Sequence, residues 1–321
     1  MRVFCHIPRE GWIVDRIGEE FKVSSCHDVS FTDLNCDVIW LLGGWCWKQV
    51  PPDVLVTRPV VCMLHHEVPL KFVGQRLHDF RERDAYVDAY NVPCEQTRAF
   101  IAQHTDKPIH VVGYWLNAGL WDGSTFDRAQ CRHELGVADD EFVIGSFQRD
   151  TEGTGDRVPK LEKGPDVFCD VVEACTGRRD SWSGPALKNV HVLLNAWRRD
   201  YVIGRLSRAG IRHTYIELPP IDVVKRMYAA LDLYVVSSRY EGGPQALLEA
   251  AALRVPIIST SCGMASDVLP ASCVYNNLMD GFSLPTSDDI EQAHTRAMSF
   301  SMTTHVKLFD EMLENVVSRF A

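Results

Sequence analysis

Ser238-Arg-Tyr-Glu-Gly-Gly-Pro-Gln-Ala-Leu-Leu-Glu-Ala-Ala-Ala-Leu253 lies between two short apolar, β-branched runs, Asp232-Leu-Tyr-Val-Val-Ser237 and Val255-Pro-Ile-Ile-Ser-Thr260. Runs of that kind are expected of buried parallel strands. Gly242 and Gly243 permit a tight turn, and Pro244 is pre-set for the first helical position. Gln245 to Leu253, rich in Ala and Leu, is a strong helix former. The expected order is strand, glycine turn, helix, strand, with Glu241 and Glu249 held at a fixed separation. Glycines let a ligand approach the backbone, and the unpaired amides of a helix N-terminus attract an anion.

Working outward, the same alternation recurs along the chain. Strand-like runs fall at Arg2–Ile7, Asp37–Leu42, Pro59–Leu64, Ala85–Tyr90 and Ile109–Val112, with helical stretches at Trp12–Phe21, Lys71–Arg83 and Glu95–His104. Asn117 to Thr125, polar and glycine-bearing, has the composition of a linker. A short helix at Arg128–Leu135 opens a second block, with strands at Phe142–Phe147, Val190–Leu194 and His213–Leu218. Its helices fall at Asp166–Cys175, Arg198–Ala209 and Ile221–Leu231. Asp150–Lys160 and Ser181–Lys188 are expected as surface loops, and one long helix is expected from about Ile290 to Phe320. This pattern predicts an α/β protein with mostly parallel sheets. In such sheets ligands bind beyond the C-terminal strand ends, where the opening segment falls.

The composition narrows the function classes. The 321 residues suit two domains of ordinary size. A net charge of −10 argues against a nucleic-acid partner, which needs a basic face. No run of about 18 apolar residues occurs, so no membrane-spanning helix is expected, and the N-terminus has no signal-peptide core. The 11 cysteines are scattered, with no C-x-x-C pair. They read as small buried hydrophobes of a reducing, cytoplasmic compartment, and neither a disulfide framework nor a zinc site is expected. The Lys71–Arg83 stretch is mildly basic and amphipathic, but its interspersed acids favour a solvated face over docking on a membrane surface.

Glu241 and Glu249 flank the turn where a diphosphate would sit. A nucleotide sugar, with ribose diol at one end and sugar at the other, has a matching layout; two solvated surface carboxylates are the competing reading. Tyr240-Glu-Gly-Gly-Pro-Gln-Ala-Leu-Leu-Glu249 resembles the E-x7-E signature of family-4 retaining glycosyltransferases. Further segments fall in that family's order: Asn117-Ala-Gly-Leu-Trp121, Gly145-Ser-Phe-Gln-Arg149, Lys163-Gly-Pro-Asp166 and Pro256-Ile-Ile-Ser-Thr-Ser-Cys-Gly263. The resemblance is specific over about Asn117 to Gly263 and faint before it. Departures occur at Cys262–Asp267, where the family has Gly-Gly-x-x-Glu, and at Glu10-Gly11, where it has a double glycine. The loop Asp150–Lys160 also stretches the usual Arg–Lys spacing.

The resemblance implies a GT-B fold, two Rossmann-like α/β domains facing across a cleft. Residues 1–120 would form the acceptor side, with the C-terminal helix of about 300–321 packed back on it, and 121–299 the donor side. It implies a metal-independent retaining hexosyltransferase that moves a sugar from a nucleoside-diphosphate sugar to a hydroxyl acceptor, with no cofactor. Arg149 and Lys163 would bind the diphosphate, with Lys160 competing for the role of Lys163. Glu241 would position the sugar and Glu249 the ribose. The turn Gly242, Gly243, Pro244, Gln245 and Ala246 would meet the phosphates, and Gly11 would approach them from the other domain. Glu217 falls where the base is read, and either His65 or His66 would reach the sugar. A non-catalytic nucleotide-sugar-binding or regulatory protein on the same fold is the alternative. Base, sugar, acceptor and oligomeric state are not legible.

Overall fold

The computed structural model describes residues 1–11, 13–121, 126–152, 158–179 and 181–320. The expected start of the first helix at Trp12, linker positions 122–125 and loop positions 153–157 lie outside the described residues. The chain divides into two compact units, Met1–Trp115 together with the segment from Phe300 onward, and Leu116–Ser299. Within their two six-stranded sheets every pairing is parallel.

The first unit runs β1 (Arg2–His6), α1 (Ile13–Ser24), β2 (Asp28–Ser30), β3 (Val38–Leu41), α2 (Pro52–Leu55), β4 (Val60–Met63), α3 (Gly74–Asp84), β5 (Ala89–Val92), α4 (Glu95–Ile101) and β6 (Ile109–Val111). Its strand order is β2-β1-β3-β4-β5-β6. Strands β3, β4 and β5 are buried along their whole length, as expected of parallel strands covered on both faces.

The second unit contains α5 (Arg128–Glu134), β7 (Phe142–Phe147), α6 (Pro165–Cys175), β8 (Val190–Asn195), α7 (Asp200–Arg208), β9 (Arg212–Ile216), α8 (Ile221–Ala230), β10 (Leu233–Val236), α9 (Gln245–Ala252), β11 (Ile257–Thr260), α10 (Ala265–Val268), β12 (Val274–Tyr275) and α11 (Ser287–Ser299). Its order is β12-β11-β10-β7-β8-β9. Phe168, Val171, Val172 and Cys175 of α6 pack on Ile144, Val192 and Leu194 of the sheet, so the apolar stripe of that helix faces the core.

The chain then returns to the first unit as α12 (Met302–Phe320). Phe309 of α12 packs against Trp40 and Trp115 with ring centroids 5.2 and 5.3 Å apart. Trp115 Nε1 donates to Glu20 on α1 at 2.7 Å.

Several expected boundaries are corrected. The single C-terminal helix is two, because Phe300 and Ser301 break it and Ser301 Oγ accepts the Thr304 amide at 3.3 Å. Helix α3 begins at Gly74, since Pro69–Lys71 forms a separate 3-10 turn. Strand β5 begins at Ala89 because the preceding Asp88 is spent on the Val60 amide, at 2.8 Å. Pro244 is the N-cap of α9 with an extended ψ of 111°, one position ahead of the expected one. Among the described residues no helix is long and apolar enough to cross a membrane.

Candidate active site

Strand order places the site. In the second sheet β8 and β9 extend to one side of β7, whereas β10 lies on the other. The C-terminal ends of β7 and β10 stand at this reversal of strand order, the place where ligands bind in open α/β sheets. The β7 loop carries Gln148, Arg149, Lys160 and Lys163; the β10 loop carries Ser238 and Glu241.

Gly164 fixes how closely these loops approach. It has φ +60°, and a Cβ there would lie 1.8 Å from the Ser237 carbonyl oxygen, so only glycine fits. Ser237 Oγ donates to the Gly164 carbonyl at 2.8 Å, and Gln148 Nε2 donates to the Lys163 carbonyl at 2.8 Å. Held this way, Lys163 Nζ donates to Glu241 Oε1 at 2.5 Å, and Ser238 Oγ lies 3.3 Å from the same oxygen. Both side chains of the pair are largely buried.

The long loop after β7 does not separate its cations. An isolated antiparallel bridge joins Thr151 to Pro159, and the Lys160 amide donates to the Asp150 carbonyl at 2.7 Å. Asp150 and Lys160 are thus brought together at one place. That place is anchored by a fully buried ion pair between Asp150 and Arg199. Arg149 donates from Nε to the Thr151 carbonyl at 3.1 Å and lies over the Trp197 ring, 5.2 Å from its centroid. Burial, and then the charges of Lys163 and Arg149, push the Lys160 ammonium below its usual range, despite Glu162 and Glu241 nearby. Burial and the like charge of Arg198 act the same way on Arg149. This crowding of positive charge is what a polyanionic ligand would relieve.

Helix α9 has no side-chain cap at its N-terminus. The left-handed residue beside its turn is Gly263 (φ +52°), where a Cβ would fall 2.3 Å from the Gly242 carbonyl oxygen; Gly242 and Gly243 themselves stay outside that region. Glu249, one turn into α9 and buried, accepts from the Tyr228 hydroxyl at 3.2 Å. Tyr228 packs edge-on against Phe147, with centroids 4.8 Å apart. Glu217 is exposed just beyond β9, and Asp267 is exposed on α10.

The first unit holds the remaining candidates. His65 Nε2 lies 2.8 Å from the Leu42 carbonyl, which can only accept, so Nε2 carries the proton and Nδ1 accepts from the Tyr114 hydroxyl at 2.5 Å. His65, His66, Glu67, Trp45 and Arg83 line a hollow of about 320 Å³. Arg76 pairs with Glu67 at 2.8 Å, yet burial holds the Glu67 carboxyl above its usual range. Gly11 (φ +73°) donates its amide to Asp15 Oδ2 at 2.7 Å, in the turn that opens α1.

Gln148, Ser237, Ser238, Tyr228 and Trp197 were not singled out from sequence. The Ser-Ser pair directly after the β10 run was the one local signal. Tyr228 sits in an apolar helical stretch and looks like ordinary core.

Residues 161–299 match the family described as Glycosyl transferases group 1. A segment of 202 residues is 25% identical to the lipopolysaccharide core biosynthesis mannosyltransferase LpsB of Rhizobium meliloti (strain 1021). The match covers 62% of this chain and 52% of LpsB, so it spans about half the length of that relative. The crystal structure of Anabaena HepE in complex with UDP superposes with a TM-score of 0.71 at 16% identity, over 98% of this chain and 99% of that one. Sucrose-phosphate synthase from Thermosynechococcus elongatus gives 0.57 at 16% identity, over 98% of this chain and 78% of that one. The fold is α/β of the GT-B type, and residues 161–299 within it are those similar to Glycosyl transferases group 1.

Proposed function

We propose that the chain is a retaining glycosyltransferase that binds a nucleoside-diphosphate sugar on its second unit and a hydroxyl acceptor on its first. The observation that carries this reading is the Lys163–Glu241 pair at 2.5 Å, set beside Arg149, Lys160 and the uncapped start of α9. The relatives add weight to the donor class: LpsB is a mannosyltransferase, and HepE structures hold UDP, or UDP-glucose. UDP is accordingly the nucleotide to test first.

On this reading the leaving diphosphate gathers negative charge as the glycosidic bond breaks. Arg149, Lys160, Lys163 and the first-turn amides of α9 stabilise it from fixed positions, with no metal ion required. Arrival of the diphosphate draws Lys163 from Glu241, whose carboxylate is then available to a sugar hydroxyl and to positive charge at the anomeric carbon. Glu249, oriented by Tyr228, accepts hydrogen bonds from the ribose diol. The acceptor lies in the hollow lined by Trp45, His65, His66 and Glu67. It attacks from the face the diphosphate leaves, and the diphosphate takes its proton.

Nucleoside-diphosphate release from a panel of UDP-, GDP-, ADP- and dTDP-sugars, with NMR of the product's anomeric centre, tests this. Lys163→Ala should lower turnover by about 10²-fold, and added Mg²⁺ or Mn²⁺ should leave turnover unchanged. An inverted product would refute the mechanism. Donor binding without turnover, whatever the acceptor, would point to a regulatory binding protein.

A further inference from the structure

The turn between α1 and β2 meets α12 at four side chains that glycosyl transfer leaves unused: Cys26, His27, Asp310 and Glu314. Asp310 and Glu314 stand four residues apart on α12, so their carboxylates share a face. Asp310 organises the turn, accepting from the Ser25 hydroxyl at 2.5 Å and the Cys26 amide at 3.1 Å. Ser25 Oγ in turn accepts from the His27 amide at 3.1 Å. The His27 side chain is buried, and its Nε2 lies 3.3 Å from Glu314 Oε1, 3.9 Å from Asp310 Oδ1 and 3.9 Å from Cys26 Sγ. Donor atoms of Cys26, His27 and Glu314 all fall within 4.8 Å of one another.

These separations can be set against coordination geometry. Four-coordinate zinc, at about 2.3 Å from sulfur and about 2.05 Å from nitrogen or oxygen, places an S···N edge near ~3.6 Å and an N···O edge near ~3.4 Å. With His27 Nε2 as the ligand nitrogen, its edge to Cys26 Sγ is 3.9 Å and its edge to Glu314 Oε1 is 3.3 Å. Two carboxylates, Asp310 and Glu314, face His27 and favour a cation beside it. Thiolate and imidazole donors select a borderline or soft metal, whereas Mg²⁺ and Ca²⁺ take oxygen ligands.

We propose that Cys26, His27 and Glu314 form a binding site for a divalent zinc-class ion, with Asp310 holding the turn in place and solvent completing the coordination. On binding, the Cys26 thiol releases its proton to solvent and sulfur donates a lone pair to the metal. The ion ties the turn before edge strand β2 to α12. The site is independent of the donor-binding reading and stands or falls alone.

Cobalt titration of the full chain, first stripped with chelator, is the test. Co²⁺ should bind at one equivalent with visible d–d bands and a near-ultraviolet thiolate-to-cobalt band, and Zn²⁺ should displace it. Cys26→Ser should abolish the thiolate band, and Glu314→Gln should weaken Zn²⁺ binding at least about tenfold. Zn²⁺ at about 100 times its Kd should raise Tm by roughly 5 °C in the wild type and not in Cys26→Ser. Both positions are exposed, so melting of each variant in chelator checks that it folds. A thiolate band that survives Cys26→Ser, or no such band at stoichiometric cobalt, overturns the proposal.

Discussion

Gly164→Ala isolates the close approach on which the candidate site rests. The new Cβ would stand 1.8 Å from the Ser237 carbonyl oxygen, where real Cβ atoms essentially never come within 3.0 Å, so the two loops must part by more than 1 Å. The left-handed backbone costs an alanine about 1–2 kcal/mol. Parting the loops also gives up the Ser237–Gly164 and Gln148–Lys163 hydrogen bonds, at about 1 kcal/mol each. The expected loss is about 3–4 kcal/mol. Gly210→Ala is the control: its φ of +62° is almost the same, but nothing lies within 4 Å of the added Cβ, so only the backbone penalty applies. Denaturant unfolding of both variants, followed by tryptophan fluorescence, should show Gly164→Ala as the weaker by about 2 kcal/mol. Turnover should fall about 10²-fold in Gly164→Ala alone, because Lys163 moves with its loop. Equal unfolding midpoints for the two variants would refute the reasoning.

Glu249→Gln should raise the donor Kd roughly 10- to 100-fold by calorimetry with UDP, the worth of charge-assisted bonds to a diol, and an unchanged Kd would remove Glu249 from the donor site. Arg199→Ala should cost about 3–5 kcal/mol in denaturant unfolding, because it leaves Asp150 buried and unpaired. Replacing both partners by apolar residues should recover most of that loss. Burial lowers the pKa of His191, which sits 3.0 Å from Glu141 and 2.9 Å from Thr214. Its unfolded form takes up a proton near pH ~6.5 while the folded form resists, so its contribution is present above that value and is lost as pH falls toward the folded pKa. Unfolding midpoints at about pH 7.5 and 5.5 should therefore draw closer together in His191→Asn.

What was legible in the sequence was what short-range chemistry dictates. Phe142–Phe147 is legible to the residue because Phe142-Val-Ile144 and Phe147 frame a short, mostly apolar run of strand length. Glu241 and Lys163 were both named, but their direct contact was not, since Gly164 sets it through a carbonyl 73 residues away. The stretched Arg149–Lys163 spacing is a departure in sequence, and the Thr151–Pro159 bridge offsets it by bringing the two ends of the insertion together. Strand β2 escaped notice because three residues carry no period. The break at Phe300 was missed because neither Gly nor Pro marks it; Ser301 three residues before Thr304 was the signal, and it is a weak one. Tyr228 and Arg199 owe their roles wholly to tertiary placement.

The return of the chain at Phe300 bears on the order in which the protein is made. Residues 116–299 form a unit from one continuous stretch, with every sheet partner already synthesised when Tyr275 has left the ribosome. The first unit, although its strands come first, lacks Phe309 against Trp40 and Trp115, and Asp310 against the turn at Ser25, until α12 follows. During synthesis Trp40 and Trp115 must therefore wait with an apolar face uncovered while the later-encoded unit folds. A chain stopped before Met302 should release a well-formed second unit and a first unit prone to aggregate. That outcome can be read by limited proteolysis of the truncated product.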